Sequence, residues 1–167
     1  KPWAFFYYIC IETNREKPML VVFDIDGTLA NIEHRLDYVR SKPKNWKAFD
    51  AGIPNDKVNE PVAKVFHAMV AEGNTIVLAS GRNERTREAT EKWLYENSLF
   101  GFDIKLYMRK AEDFRNDSIV KREMLDEIIA DYGKKPDIWF DDRPRVVKAI
   151  RSRGVFVFDV YQGTVDF

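Results

Sequence analysis

Asp24 and Asp26 stand two residues apart at the end of the apolar run Val21-Val22-Phe23, with Gly27 and Thr28 directly after them. A continuous run of this kind reads as a strand buried on both faces of a parallel sheet. Carboxylates at the carboxyl end of such a strand lie where open α/β sheets bind their ligands. Charge placed there is costly unless it is paired or holds a metal. Two carboxylates can divide the work of phosphoryl transfer. One attacks phosphorus, the other gives and takes the proton, and a divalent cation offsets the gathered charge. The bland alternative is a strand that ends in a polar turn, since aspartate and glycine are common there.

Further clusters repeat the pattern. Thr75-Ile76-Val77-Leu78-Ala79 leads into Ser80-Gly81-Arg82, and Asp137-Ile138-Trp139-Phe140 leads into Asp141-Asp142-Arg143. Lys121 lies early in a helical segment that starts near Ser118. This order, Asp-x-Asp-Gly-Thr, then serine, then lysine, then paired aspartates, resembles the haloacid dehalogenase superfamily of phosphohydrolases. Met108-Arg109, Arg115-Asn116-Asp117-Ser118-Ile119-Val120-Lys121 and the closing Gly163-Thr164-Val165-Asp166-Phe167 narrow it. With Ser80-Gly81-Arg82 and Asp141-Asp142-Arg143 they are similar to the 3'-phosphatase domain of phage polynucleotide kinase-phosphatases. The resemblance runs from about Met19 to the C-terminus.

The resemblance implies roles. Asp24 forms an aspartyl-phosphate, and Asp26 protonates the leaving oxygen and then activates water. Ser80 and Lys121 hold the non-bridging oxygens, Lys121 also offsetting transition-state charge. Asp141 and Asp142 complete a magnesium (Mg2+) site with Asp24 and the Asp26 carbonyl. Magnesium suits such a set, favouring a few carboxylates plus water and phosphate oxygens. Thr28, Gly81, Arg82, Arg109, Arg115 and Arg143 belong to the same motifs and are candidates for binding substrate, arginine forking onto phosphate oxygens. Each arginine can equally be a structural ion-pair partner. Without the resemblance, the aspartate pair reads as a turn before Pro144 and Lys121 as a solvated helix residue. His34 is a weak candidate for substrate contact, and His67 reads as structural.

Strands and helices alternate, which predicts a parallel α/β sheet with right-handed crossovers. The resemblance makes it haloacid dehalogenase-like (Rossmann-like), with a small helical cap insertion after the first strand. Val62, Val65, Phe66 and Met69 predict a helix ended by Gly73. Residues 84–96 predict another, with Thr86, Ala89 and Trp93 inward. A short strand is expected over 103–107. Residues 118–132 predict an amphipathic helix with Met124, Leu125, Ile128, Ile129 and Tyr132 on one face and Gly133 as its stop. A helix after Pro144 carries Val146, Val147 and Ile150, and 155–160 is the last strand.

Residues 29–60 contain no apolar strand, and a stretch this long inside a domain is usually functional. Ile32, Leu36, Tyr38 and Val39 suggest a short helix. The region of about 30–60 reads as a cap-like insertion over the mouth of the site. Tyr38, Trp46 and Phe49, interleaved with lysines, either stack on a base or dock the insertion. Docking is expected for two of the three.

The length of 167 residues suits one domain with its own core. It divides into an N-terminal extension, 1–18, and the phosphatase domain, 19–167. Pro2 to Ile11 is too short to span a bilayer and lacks a signal-peptide cleavage pattern, so no membrane partner is expected. It is an extra strand or an irregular extension. If Met19 is the native start, it is instead foreign to the native chain or part of an upstream segment. The sequence holds no Gly-x-x-x-x-Gly-Lys-Ser/Thr loop, so a kinase or ligase would be a further domain or a partner. The formal net charge of +0 argues against tight, sequence-independent nucleic-acid binding, while a local basic patch stays open. Cys10 is the only cysteine, which excludes an intrachain disulfide and points to a reducing, cytoplasmic compartment.

Three functional readings follow. The first is Mg2+-dependent removal of 3'-phosphate from polynucleotide ends, in DNA or RNA repair. The second is a phosphatase of small metabolites or nucleoside monophosphates. The third is a non-catalytic module that binds nucleic-acid ends, against which the intact aspartates, Ser80 and Lys121 argue. DNA, RNA and mononucleotides all stay open as substrates, as does the oligomeric state.

Overall fold

A computed structural model of the chain describes residues 17–160 and Gly163. Pro2 to Ile11, Cys10 and the closing 164–167 lie outside the described residues, so the readings placed on them do too. In chain order the described elements begin with β1 (Leu20–Phe23), β2 (Ala30–Asn31), α1 (Asp37–Arg40), α2 (Trp46–Ala51), β3 (Lys57–Val58) and α3 (Glu60–Ala71). They continue with β4 (Thr75–Asn83), α4 (Arg87–Glu96), β5 (Lys105–Arg109), α5 (Asp117–Tyr132), β6 (Ile138–Asp141), α6 (Pro144–Arg151) and β7 (Phe156–Asp159).

Five strands form one parallel sheet in the order β5-β4-β1-β6-β7, as the alternating pattern predicts. Phe23 stands level with Leu78 on one side and Phe140 on the other. Asp24, Ser80 and Asp141 therefore emerge at the same carboxyl edge. The chain leaves β1 toward β4 and β5, then crosses to the far side for β6 and β7. The order reverses at β1, which is where sheets of this kind hold ligands.

All four β1 residues are buried, and alternate side chains serve opposite layers. Val21 and Phe23 join the core with Val62, Ala63 and Phe66 of α3 and Trp93 and Leu94 of α4. Leu20 and Val22 join Val120, Met124, Leu125 and Ile128 of α5 and Val146, Val147 and Ile150 of α6. Gly133 ends α5 at φ +69°, a backbone that favours glycine. No helix among the described residues is long and apolar enough to cross a membrane.

Several expectations shift. Val65 faces solvent and Ala63 takes its place, because the buried stripe of α3 runs through 62, 63 and 66. The helix expected from Glu84 opens with a 3-10 turn, Glu84–Thr86, and Thr90 is fully buried where Thr86 is only partly so. β5 starts two residues later than expected and runs to Arg109. Ser80-Gly81-Arg82 lies within β4.

The insertion does contain strands. β2 and β3 pair antiparallel over two residues each, too short to leave an apolar run in the sequence. Ile32, Leu36, Val39, Phe49 and Ile53 belong to the same apolar cluster as Phe23 and Phe66, so the insertion is sealed onto the core. Of its three aromatics only Phe49 is buried. Tyr38 and Trp46 remain 45% and 51% exposed.

Candidate active site

β1 ends by delivering Asp24, whose amide donates to the Phe140 carbonyl at 3.0 Å. β6 ends at Asp141, which is held from two sides. The Trp139 indole donates to Oδ2 at 3.2 Å and the Arg143 amide to Oδ1 at 3.1 Å. Asn116 caps α5, its side chain accepting from the Ser118 amide at 3.0 Å. That start places Lys121, one turn in, at the sheet edge, 2% exposed. Its ammonium donates to Asp24 Oδ1 and the Ala79 carbonyl and lies 3.4 Å from Asp141 Oδ2. Ser80 is buried beside them, its Oγ accepting from the Arg82 amide at 3.2 Å.

Asp24, Asp141 and Asp142 each offer an oxygen, all within 4.8 Å of one another. Burial, then the charges of Asp24 and Asp141, push the Asp142 carboxyl up to about 9. Burial also lifts Asp24 to about 6, against the pull of Lys121. One ammonium thus serves three carboxylates, and Asp142 Oδ1 is buried with no hydrogen-bond partner among the described residues. A divalent cation fits this donor set, since it would ionise the crowded carboxyls and take up the unpaired oxygen. Gly27 makes room for the Asp142 carboxylate. Its φ is +84°, and a Cβ there would lie 2.1 Å from Asp142 Oδ2.

Asp26 has a different setting. Its Oδ1 accepts from Arg82 Nε and Nη2 at 2.8 and 2.6 Å and from Arg35 Nη2 at 2.8 Å. Both arginines also bind Asp56. Arg35 forks onto it at 2.7 and 2.8 Å, and Arg82 Nη2 reaches Oδ2 at 2.6 Å. The result is a ring of two buried guanidiniums and two carboxylates, balanced in charge. Burial alone would raise the Asp26 carboxyl. Arg82 and Arg35 outweigh it and hold the carboxyl down at about 2. The Arg35 guanidinium lies 4.1 Å from the Phe49 ring centroid, and the Trp93 indole donates to the Asp56 carbonyl at 2.8 Å.

The substrate-binding candidates divide. Expected as a phosphate ligand, Arg82 is instead a buried ion-pair partner of Asp26 and Asp56, because Asp56 arrives from the insertion to meet it. Arg109 and Arg143 bond the two oxygens of Asp117, and Arg115 pairs with Asp113 and Glu123. Thr28 is buried, with its Oγ1 lacking a partner among the described residues. Gly81 sits beside Asp117. His34 Nε2 donates to Asp56 Oδ1 at 2.9 Å, so it touches the ring. Sequence reasoning missed Arg35, Asp56 and Trp139 and gave Asp117 no role of its own. Arg35 and Asp56 lie in polar stretches and gain meaning only once the insertion folds. Trp139 read simply as a strand residue.

Comparison with known proteins decides the family. The model of the polynucleotide kinase PNKP phosphatase domain matches residues 18–167. The chain belongs to the PNKP phosphatase-domain family. Among solved structures, a chain of the Pnkp1/Rnl/Hen1 complex is 34% identical with a TM-score of 0.71, the match covering 90% of this chain and 47% of that one. A chain of the Pnkp1/Rnl/Hen1 RNA repair complex is 32% identical, TM-score 0.71, covering 90% and 44%. The chain therefore spans about half the length of those it matches. A haloacid dehalogenase-like hydrolase from Streptococcus pneumoniae, SP0104, is 14% identical, TM-score 0.60, covering 85% and 84%. That likeness is one of fold alone. Within a PNKP-type phosphatase, the strand-end aspartates, Ser80 and Lys121 converge on one edge, and the arginines lie around it already engaged by acids.

Proposed function

We propose that this phosphatase domain removes the 3'-phosphate from polynucleotide ends, using Mg2+ and an aspartyl-phosphate on Asp24. The observation that carries the reading is the convergence of Asp24, Lys121, Asp141 and Asp142 on one sheet edge in a PNKP-type chain. Asp24 attacks phosphorus as the bond to the 3' oxygen breaks, and Asp26 gives that oxygen its proton. Asp26 then takes a proton from water, the water attacks phosphorus, and phosphate leaves with Asp24 restored. Lys121 and Ser80 hold the non-bridging oxygens. Asp24, Asp141 and Asp142, with the Asp26 carbonyl, would hold the cation, which when bound supplies charge stabilisation.

The low pKa of Asp26 suits the base it must be in the second step. Negative charge on the arriving phosphate opposes that shift, so Asp26 takes up from solvent, as substrate binds, the proton it gives in the first step. One of the two Pnkp1 matches comes from an RNA repair complex, which favours RNA ends as substrate and a repair assembly as setting. A kinase or ligase, as a further domain or a partner, is the company this reading expects.

Matched oligonucleotides phosphorylated at the 3' or the 5' end, and mononucleotides, should be incubated with and without Mg2+. Phosphate release is expected from the 3' end alone and only with the cation. Equal rates at both ends, or activity confined to mononucleotides, would move the assignment to a metabolite phosphatase. Binding without any release would favour the non-catalytic module.

A further inference from the structure

The loop between β5 and α5 carries Phe114, whose ring the chemistry above leaves unused and which is 82% exposed. One side chain fixes both of its flanks. Arg109 Nη1 donates to the Asp113 carbonyl at 3.2 Å and to the Arg115 carbonyl at 2.7 Å. The Nε of the same guanidinium donates to the Gly81 carbonyl at 3.0 Å, and its Nη2 bonds Asp117 at the head of α5. Asp113 accepts from the Arg115 amide at 3.0 Å, and Arg115 reaches Glu123 of α5 at 2.7 Å. A single guanidinium thus joins the strand that carries Ser80 to the backbone on either side of Phe114.

An open cleft of about 640 Å³ lies against the loop, lined by Lys110, Glu112, Asp113, Phe114 and Arg115. Lone exposed apolar residues are ordinary on protein surfaces. Phe102, also exposed, precedes β5 and so lies at the sheet edge away from the site. What distinguishes Phe114 is a braced backbone at the active edge, so that its ring is offered at little further ordering cost.

We infer that Phe114 is the stacking platform for the base of the terminal nucleotide whose 3'-phosphate is held at Ser80 and Lys121. The inference rests on the polynucleotide reading above. In a nucleotide one sugar ring separates base from 3'-phosphate, and here one guanidinium spans from the strand beside Ser80 to the backbone that carries the ring. Every base has a π face, so stacking grips a chain end without choosing its sequence. Lys110 pairs with Glu127 at 3.5 Å, and with Arg115 it only balances Glu112 and Asp113 on the loop, so the grip rests on the ring and not on charge.

The test compares wild type, Phe114→Ala and Phe114→Trp on two 3'-phosphorylated strands. One ends in a normal nucleotide, the other in a tetrahydrofuran abasic analogue. p-Nitrophenyl phosphate serves as a base-free reference. Wild type is expected to show a KM about tenfold lower for the base-bearing strand, the range base–aromatic stacking supplies. Phe114→Ala should lose that preference, and Phe114→Trp should keep it. A preference that persists in Phe114→Ala, or is absent from an active wild type, overturns the inference alone. A wild type that hydrolyses p-nitrophenyl phosphate but neither strand overturns the substrate reading and the inference with it.

Discussion

Asp24 and Asp26 are two residues apart and are driven in opposite directions. Burial lifts Asp24 to about 6, while Arg82 and Arg35 hold Asp26 at about 2. The difference suits one carboxyl in a crowd that a cation relieves and one carboxylate kept ready as a base. Asp24→Asn should abolish phosphate release while leaving the melting temperature equal or higher, because the substitution removes the covalent step and one crowded charge together. Turnover retained by a folded Asp24→Asn protein would reject the nucleophile. Asp56 offers the contrasting case, since it shares two buried guanidiniums with Asp26. Its replacement by alanine leaves those charges one carboxylate short. A loss of about 3–5 kcal/mol in chemical denaturation is the expected scale for breaking a buried pair. A loss below about 1 kcal/mol, as for surface pairs, would show that the ring is not the brace it resembles.

At the scale of elements, the turn after β1 must pass Asp142 closely. Gly27→Ala puts a Cβ into the Asp142 carboxylate and strains a backbone at φ +84°. Such strain is worth about 1–3 kcal/mol, and Mg2+ affinity should fall with it, measurable by calorimetric titration. Unchanged affinity would separate Gly27 from the cation site. The strands and the aspartates at their ends were legible because buried parallel strands leave apolar runs and polar residues stop them abruptly. β2 and β3 left no such trace, being two residues each with Lys57 exposed. The Arg35–Asp56 pair was hidden for a related reason. Its partners are 21 residues apart and meet only across the folded insertion. Arg82 was visible as part of a motif, yet its buried role depended on that unseen partner. Among the insertion's aromatics, composition could not separate Phe49, which packs under Arg35, from the outward Tyr38 and Trp46.

For the whole molecule, the crowded carboxyls link stability to pH. Asp142 at about 9 and Asp24 at about 6 both exceed the ordinary 3.8, so the folded state holds protons that the unfolded chain has lost. Their contribution is full below about pH 4 and is lost as pH rises through 6 and 9. Asp26, shifted the other way, contributes fully above about pH 4 and loses that contribution only as pH falls toward 2, outside this window. Without metal, the melting temperature should therefore fall between pH 5 and 9. Millimolar Mg2+ should raise it more at pH 9 than at pH 5, since the cation favours the ionised carboxyls. Equal shifts at both ends, read by calorimetry, would refute the linkage. The ring of charge that joins insertion to core has a consequence for motion. Arg35 of the insertion grips Asp26 of the core, and Arg82 of the core grips Asp56 of the insertion. Swinging the insertion away would break both of these crossing pairs, although Arg35 would keep Asp56 and Arg82 would keep Asp26. The two crossing bonds are bolts through opposite walls, and drawing either one loosens the hold on Asp26 or on Asp56.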